Sequence, residues 1–380
     1  MSGTANHDGS VASLRERREA PPPAALTMGE AIERISARAA PLDREPRFPR
    51  ESFTDLAAAG VLRMAAERPG DLAGEIELVR TLAAADGSTA RILDGHLNGV
   101  ERLARLGESP LRQIELQAIR DGRLLLGVWG ADPAPGEGPP ARLVRQGAEL
   151  VLRGFKTFCS GAGGVQRALV VASDDGERRR LVYLDTADRV RVDRHWYTGS
   201  GLRSSESHRV EFHDTPVLAM LGGADALVEE PWFSRDAVRT AATWAGLADC
   251  ILAATVGAVD PERLDQLRLH AIGRMSMARA SIDRWLEHAA DRLGTLDELG
   301  VRLLAGDDPA ELSTRCRIAL SDASREIAAL AATVCGSRAL VGGGALDRAR
   351  RDLDLFLLQH RLDPKLVELG SRTLASRGGG

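Results

Sequence analysis

Hydrophobic residues recur at helical spacing along the first third of the chain. Ile32 and Ile35 lie three residues apart, and so do Phe53 and Leu56. A period close to about 3.6 residues is typical of helices that bury one face. The pattern therefore predicts several helices joined by short loops, which together form an N-terminal helical domain over residues 28–120.

The pattern changes near Gly122, where short β-prone runs begin and clusters of Gly and Pro separate them. Runs rich in Leu, Val and aromatic residues between such clusters are typical of strands. They predict a middle β domain, a barrel or sandwich, over residues 121–230. The predicted strands are residues 124–128, 149–152, 168–172, 180–185, 190–192 and 208–213.

Helical periodicity returns after Trp232 and predicts a C-terminal four-helix bundle over residues 231–375. Residues 295–309 have the composition of a turn between two antiparallel helices. The predicted helices are residues 238–259, 264–293, 311–341 and 345–360. The fold class is therefore mainly α with a central β domain.

The two ends of the chain differ from the rest. Residues 1–27 mix Gly, Ser and Arg with a Pro-Pro-Pro run, and a segment that cannot bury apolar surface is expected to be disordered. Residues 376–380 are expected to form a flexible end. The chain opens on no recognisable signal peptide and contains no apolar run close to the roughly 18 residues that span a bilayer, so we expect a cytoplasmic protein without a membrane partner.

Composition excludes several classes of function. The formal net charge is −4, and basic residues are interspersed with acidic ones, so no nucleic-acid-binding surface is indicated. The four cysteines are widely spaced and have no histidine at metal-ligand spacing, so we expect reduced thiols and no metal site.

Two segments carry a resemblance to a known family. Residues 154–161 read Gly-Phe-Lys-Thr-Phe-Cys-Ser-Gly, and residues 201–212 begin Gly-Leu-Arg-Ser-Ser-Glu-Ser-His. They resemble the strand-and-turn that lines the flavin in acyl-CoA dehydrogenases and the signature turn that follows it. Residues 340–344 and the pair Arg351-Asp352 resemble the family's motifs in the last helices. The resemblance implies a helical domain, a β domain and a helical bundle around a flavin.

The chain departs from true acyl-CoA dehydrogenases where their chemistry needs a base. The position of the usual catalytic glutamate is His360, and a second base position, aligned with less support, is Asp236. The Thr-Glu-Pro-like segment is altered at residues 128–133. The Arg-x-x-Phe-Gly motif that reaches the FAD pyrophosphate is absent before Gly273, which makes FMN plausible and leaves FAD possible.

These departures resemble the superfamily's flavin-dependent monooxygenase branch, which includes dibenzothiophene monooxygenases, hydroxyphenylacetate hydroxylase oxygenase components and N-oxygenases. The branch implies that Ser160, His96 and His360 surround the flavin. Reduced flavin and O2 would form a C4a-(hydro)peroxyflavin that must be kept dry. We expect Ser160 to hold the N5 side, His360 to exchange a proton near neutral pH, and His96 to orient substrate or peroxide.

Further flavin contacts are expected from Trp129, Phe158, Ser205 and Ser207, and Arg338 is a candidate for the flavin phosphate. Each of these residues also has an ordinary structural interpretation. Trp129 would fill the core, the serines would serve turn chemistry, and Arg338 would be a solvated helix residue.

The sequence therefore predicts a two-component monooxygenase that oxidises N, S or an activated ring C of a small molecule. No dinucleotide-binding fingerprint is visible, so a separate NAD(P)H:flavin reductase would supply reduced FMN. The alternatives are an acyl-CoA dehydrogenase-like oxidoreductase acting on a thioester, with Asp236 as its base, and a flavin-free, non-catalytic descendant. The resemblance also implies a homotetramer or homodimer.

Overall fold

The computed structural model describes residues 25–375 apart from 295, 298–299 and 302–307. The predicted disordered tail up to residue 24, the flexible end at 376–380 and most of the turn at 295–309 lie outside the described residues. The elements in chain order are α1 (Met28–Arg44), α2 (Arg50–Ala58), α3 (Val61–Glu67), α4 (Leu72–Ala85), α5 (Gly87–Leu106), α6 (Leu111–Arg120), β1 (Leu126–Trp129), β2 (Arg142–Gln146), β3 (Glu149–Cys159), β4 (Arg167–Ser173), β5 (Arg179–Asp185), β6 (Val190–Asp193), β7 (His208–Pro216), β8 (Ala219–Ala224), α7 (Trp232–Ala258), α8 (Gln266–Gly294), β9 (Leu296–Asp297), β10 (Gly300–Val301), α9 (Pro309–Cys335), α10 (Ala345–Leu357) and α11 (Asp363–Ala375).

The N-terminal helices begin at side-chain caps that the sequence supplies. Thr27 and Glu30 form a capping box at the start of α1, with Oγ1 of Thr27 accepting from the Glu30 N–H over 3.2 Å. Asp86 caps α5 by accepting from the Thr89 N–H over 2.8 Å. Helix α5 is buried along most of its length and packs against both β1 and α7. It therefore connects the sheet to the C-terminal helices.

The eight strands from β1 to β8 form one sheet in the order β6-β7-β3-β2-β4-β5-β8, with β1 pairing parallel to β4. Strand β3 continues to Cys159, far beyond the predicted residues 149–152. The continuation includes residues of the segment 154–161 that resembles a strand-and-turn, and Lys156 is buried within it. Its ammonium lies 2.5 Å from Asp132 and 3.1 Å from the carbonyl of Gly130. The strands β2 and β8 were not predicted, and β2 consists mostly of polar residues.

The C-terminal helices differ from the predicted set at their ends. Helix α9 stops at Cys335 rather than at residue 341, because Gly336 takes a φ of 70° and breaks the helix. Helix α10 stops at Leu357, so His360 lies in the loop before α11 and not on a helix. The additional helix α11 gives five helices where the sequence predicted four.

Helix α7 corrects the expectation about apolar runs. It is long and apolar enough to cross a membrane by length and composition. In the structure it packs against α4, α9 and α10, and Val238, Ala242 and Trp244 on it are fully buried. A core helix of a soluble protein has these properties too, so the composition of α7 is explained by its central position.

Candidate active site

Three serine hydroxyls form a hydrogen-bonded chain where two turns of the sheet meet. Ser160 follows β3, and Ser205 and Ser207 lie just before β7. Oγ of Ser207 lies 2.9 Å from Oγ of Ser160 and 2.7 Å from Oγ of Ser205. All three residues are buried. The structure therefore brings together the three serines that the sequence singled out.

Backbone hydrogen bonds hold the two turns together. Gly161 donates its N–H to the carbonyl of Ser205 over 2.8 Å, and Ala162 donates to the carbonyl of Glu206 over 3.2 Å. Leu202 and Glu206 adopt left-handed φ values of 48° and 49°, which bend the chain sharply around the serines. The positions of the hydroxyls are thus fixed by the backbone.

The two aromatic residues predicted to contact a flavin have different surroundings. Trp129 is fully buried and donates its Nε1–H to the carbonyl of Ser160 over 3.1 Å, so it supports the serine turn from inside. Phe158 is 56% exposed and has a left-handed φ of 51°. Its ring meets the edge of Trp196 at 4.9 Å. Phe158 and Trp196 therefore offer an aromatic surface outside the turn.

His96 lies on the face of α5 that packs against β1. The backbone N–H of Leu126 donates to its Nδ1 over 3.1 Å, and no partner for its buried Nε2 exists within the described residues. Burial lowers the pKa of His96 to about 3. Because Nδ1 accepts, the neutral ring carries its proton on Nε2. His96 therefore presents an unpaired N–H donor in the interior.

Gly95, next to His96 on α5, marks open space inside the protein. The residue is buried, yet a Cβ added to it would meet no atom outside its own helix within 4 Å. Arg91 lies one helical turn earlier, on the same side of the helix. The gap beside Gly95 is therefore a place where a ligand atom can approach the backbone of α5.

His360 packs against the C-terminal helices rather than against the serines. Its ring meets Trp244 of α7 edge-on at 5.1 Å, and its Nδ1 lies 3.1 Å from Nη1 of Arg317 on α9. A guanidinium can only donate, so Nδ1 of His360 accepts and the neutral ring carries its proton on Nε2.

The charge state of His360 differs from the expectation of an imidazole that titrates near neutral pH. Burial lowers its pKa to about 3, and the positive charges of Arg317 and Arg91 act in the same direction. The low pKa of His360 depends on the tertiary structure, because Arg317 comes from α9 and Arg91 from α5. At neutral pH His360 is an uncharged donor.

Tyr197 lies beside the serines, and Arg91 lies beside the aromatic residues that pack near His360. The hydroxyl of Tyr197 donates to the carbonyl of Gly201 over 2.8 Å and is hydrogen-bonded to Ser205, while burial raises its pKa. Arg91 pairs with Asp94 at 2.5 Å. The guanidinium of Arg91 also lies 5.5 Å from the ring centroid of Phe356, whose ring is 6.3 Å from that of Trp244.

The Arg351-Asp352 pair joins three parts of the chain near this site. Arg351 binds Asp43 of α1 at 2.6 Å. Asp352 accepts from the Leu202 N–H over 2.6 Å, and burial raises its pKa to about 7. The pair therefore fixes the turn that carries Ser205 to the C-terminal helices.

Asp236, the alternative base, lies in a buried ionic cluster between α4, α5 and α7. Its Oδ2 is 2.6 Å from Arg102 and its Oδ1 is 3.1 Å from Arg239. Burial raises its pKa to about 7, although both arginines oppose the shift. Arg239 also binds Glu75 and Glu101, each at 2.7 Å. Both carboxylate oxygens of Asp236 are therefore engaged in ion pairs.

Arg338 lies apart from the serines. It is exposed in a short 3₁₀ turn, Ser337–Leu340. Within the described residues no contact joins it to the predicted flavin site.

A cavity of about 400 Å³ lies next to the serine turn and is lined by Tyr197, Glu206 and His208. The other residues that line it are Pro46, Arg47, Arg194, Thr198, Gly199 and Arg203.

Sequence reasoning missed four residues of this site: Arg91, Tyr197, Trp244 and Arg317. The chain contains only two tyrosines and five tryptophans, and this rarity was the one available signal for Tyr197 and Trp244. The arginines carried no signal, because nothing distinguishes them from the many arginines on solvated helix faces.

Comparison with known proteins gives sequence relatives and structural neighbours that cover nearly the whole chain. No protein-family model matches the chain. Dibenzothiophene monooxygenases from Rhodococcus erythropolis and Rhodococcus qingshengii are 24% identical over 394 residues, which covers 93% of this chain and of each relative. The methanesulfinate monooxygenase MsuC from Pseudomonas fluorescens superposes with a TM-score of 0.79 at 21% identity, over 92% of this chain and 97% of MsuC.

Two further solved structures contain FMN. KijD3, in complex with FMN and a dTDP-linked amino sugar, has a TM-score of 0.77 at 21% identity and covers 91% of this chain and 92% of its own. FMN-bound TdsC from Paenibacillus sp. A11-2 has a TM-score of 0.76 at 18% identity and covers 91% and 96%. The chain resembles the flavin-dependent monooxygenase branch of the acyl-CoA dehydrogenase superfamily. The acyl-CoA dehydrogenase-like fold predicted from the sequence is confirmed.

Proposed function

We propose that this protein is a two-component flavin-dependent monooxygenase that uses O2 to oxygenate a small organic molecule at N, S or an activated ring C. A separate NAD(P)H:flavin reductase would supply the reduced flavin, FMN in preference to FAD. The observation that carries the proposal is the pair His96 and His360. Both are neutral and hold their proton on Nε2, His96 fully buried and His360 half-buried, at positions where the resemblance places the flavin.

The residues present fit a flavin. The unpaired Nε2 of His96 and the open space beside Gly95 are features that a bound group would complete. An unmet buried donor costs about 1–3 kcal/mol, so its retention supports a ligand acceptor at this point. Phe158 and Trp196 offer an aromatic surface for the ring, and Ser160, Ser205 and Ser207 offer hydroxyls. Trp129 would act through Ser160 by holding its carbonyl.

A bound reduced flavin supplies the electrons that activate O2. The chain's own residues exclude water and hold protons. The hydroxyls of Ser160 and Ser207 are hydrogen-bonded over 2.9 Å. His96 holds a proton on Nε2 for an oxygen acceptor. His360 holds a second proton on Nε2, and its low pKa keeps that ring uncharged across the neutral range. We therefore assign His360 the role of a neutral donor and His96 the role of orienting substrate or oxygen.

The alternative, an oxidoreductase that acts on a thioester, has one observation in its favour. The pKa of Asp236 is raised to about 7, which suits a general base. Against it, Arg102 and Arg239 occupy both oxygens of this carboxylate. A base must reach the substrate's proton, so these ion pairs would first have to break. A flavin-free descendant remains the third alternative, and the absence of flavin affinity in either redox state would support it.

The experiment is an anaerobic titration of the full-length protein with reduced FMN, followed by mixing with isotopically labelled O2 and a panel of probes that includes indole and a thioether. The proposal predicts binding of reduced FMN, label in the product and less free peroxide than free flavin releases. Failure to bind reduced FMN would contradict it. Bleaching of bound FAD by an acyl-CoA would favour the thioester reading instead.

The remaining assignments are proposals of the same kind. On α8, Leu267 is 82% exposed and Met277 is 72% exposed, and α11 buries no residue. Apolar helix faces of this kind support a homotetramer or homodimer, because a second copy would cover them. Arg338, far from the serines in one chain, would reach a flavin phosphate only across such an assembly. We propose a cytoplasmic location, as the sequence predicted.

A further inference from the structure

Arg317 is a partly buried guanidinium without a carboxylate partner. Its Nη1 donates to Nδ1 of His360 over 3.1 Å and its Nε donates to the carbonyl of Ser313 over 3.2 Å. Within the described residues, no acidic side chain lies within 4.0 Å of it. Cys316 and then Glu230 act to raise its pKa, and Oε2 of Glu230 accepts from the Ser234 N–H.

A neighbouring arginine on α9 is paired where Arg317 is not. Arg315 lies two residues earlier on the same helix and pairs with Glu311 at 2.5 Å. Burial lowers the pKa of Arg317, because no acidic partner offsets the loss of solvent. Hydrogen bonds to His360 and Ser313 use only part of the five N–H donors of a guanidinium, so the other N–H groups of Arg317 can serve an acceptor.

The groups around Arg317 and His360 are mostly hydrogen-bond donors. His360 presents Nε2–H, and the buried Nε1–H of Trp244 has no partner within the described residues. Arg91 adds a second positive charge, which acts on His360. The acidic groups of the surrounding elements have partners of their own: Asp94 binds Arg91 and Thr240, Asp352 accepts from the Leu202 N–H, and Glu230 accepts from the Ser234 N–H.

A site that offers donors selects a ligand that offers acceptors. An acceptor group gains hydrogen bonds from these donors and removes a desolvation cost of about 1–3 kcal/mol at the buried Nε1–H of Trp244, whereas a neutral donor group would leave them unpaired. Arg matches carboxylate-like groups best, because its planar N–H groups bind two oxygens side by side.

Resting on the function proposed above, we propose that the substrate carries a small anionic group of the carboxylate or sulfinate class, which binds Arg317 beside His360 with Arg91 as the second cation. This subsite would set the substrate class. The reacting atom would then lie toward Gly95 and the serines, because Arg91 and Gly95 share one side of α5. Neutral aromatic molecules without such a group would bind weakly.

The same arginine chemistry would also suit the phosphate of FMN, and the test separates the two sources. Isothermal titration of the full-length, flavin-free protein measures the dissociation constants of benzoate against benzamide, of methanesulfinate against dimethyl sulfone, and of FMN against riboflavin. The variants are R317Q, R317K and the matched control R315Q. Thermal unfolding and circular dichroism check that each variant is folded.

The expected result is that wild type and R315Q bind each anion at least about tenfold more tightly than its neutral counterpart, a difference of about 1.4 kcal/mol. R317Q should lose this preference, and R317K should keep part of it. Equal binding of anions and neutral counterparts to wild type would overturn the proposal, and so would an unchanged preference in R317Q.

Loss in R317Q of a preference for FMN over riboflavin, without any preference among the small anions, would assign Arg317 to the cofactor phosphate and also overturn the proposal. Competition of benzoate with FMN but not with riboflavin would do the same. A retained anion preference in a protein that binds no reduced FMN would leave this subsite standing and count against the proposed function alone.

Discussion

The backbone N–H of Leu126 donates to Nδ1 of His96 over 3.1 Å, and this contact fixes which nitrogen of the ring carries the proton. Strand β1 therefore sets the chemistry of a histidine that lies 30 residues earlier on α5. The donor at Nε2 has no partner within the described residues, and its replacement gives the first prediction.

His96→Asn removes the Nε2–H donor. We expect the share of O2 that reaches product to fall and the share released as hydrogen peroxide to rise by about tenfold, since one charge-neutral hydrogen bond contributes about 1 kcal/mol or more at a buried site. Product and peroxide are measured together in the FMN-supplied enzyme. His213→Asn, on an exposed position of β7, is the control, and an unchanged ratio in His96→Asn would remove this residue from the site.

The low pKa of His96 also predicts how stability depends on pH. The folded protein keeps this ring neutral down to about pH 3, whereas an unfolded histidine binds a proton below about 6.5. Protonation below that pH therefore favours the unfolded state, and stability should fall with acid by up to about 1.4 kcal/mol per pH unit from this residue alone. Denaturant unfolding of His96→Asn between pH 6.5 and pH 4 should show a shallower loss than wild type. Identical slopes would contradict the shift.

Gly95→Leu fills the open space on α5, and Gly95→Ala tests the helix alone. Alanine should stabilise the protein by about 0.5–1 kcal/mol, because glycine is costly within a helix. Leucine should abolish flavin or substrate binding while the protein stays folded. Gly273→Ala on α8, where the added Cβ also meets nothing within 4 Å, is the matched control for stability. Full activity in Gly95→Leu would show that the gap is not used.

Ser207→Ala interrupts the serine chain at its centre. The hydroxyls of Ser160 and Ser205 each lose a partner, so we expect reduced FMN to bind about tenfold more weakly and the unfolding temperature to fall by a few degrees. Fluorescence titration measures the dissociation constant. Ser281→Ala, on an exposed position of α8, should bind as wild type does. Equal affinity in both variants would place the serines outside the flavin site.

Asp236→Asn tests whether this carboxylate serves as an ion-pair partner in the buried cluster or as a catalytic base. The change leaves Arg102 without its buried ion-pair partner, while Arg239 keeps Glu75 and Glu101, and it should destabilise the fold by about 3 kcal/mol. The folded fraction should keep its ratio of product to peroxide. Denaturant unfolding and the product assay are read together, with exposed Asp121→Asn as the control. Loss of turnover without loss of stability would favour the alternative in which Asp236 is the base for oxidation of a thioester.

The sequence by itself determined the order of the elements and the serine turn. The helical period of α7 and the apolar run of β4 depend only on neighbours along the chain, so both elements could be predicted directly. The turn Phe158-Cys159-Ser160-Gly161 and Ser205 to Ser207 were visible as local motifs, and the sheet brings them within hydrogen-bonding distance.

Only the tertiary structure decided the state and surroundings of the histidines. Nothing in the sequence near His360 indicates Arg317, which lies 43 residues earlier, or the end of α10 that releases His360 into a loop. The contact of His96 with Leu126 likewise joins separate elements. A pKa and a tautomer depend on solvent exclusion and on charges brought in from distant parts of the chain. Those quantities exist only after α5, α7, α9 and the sheet have packed together.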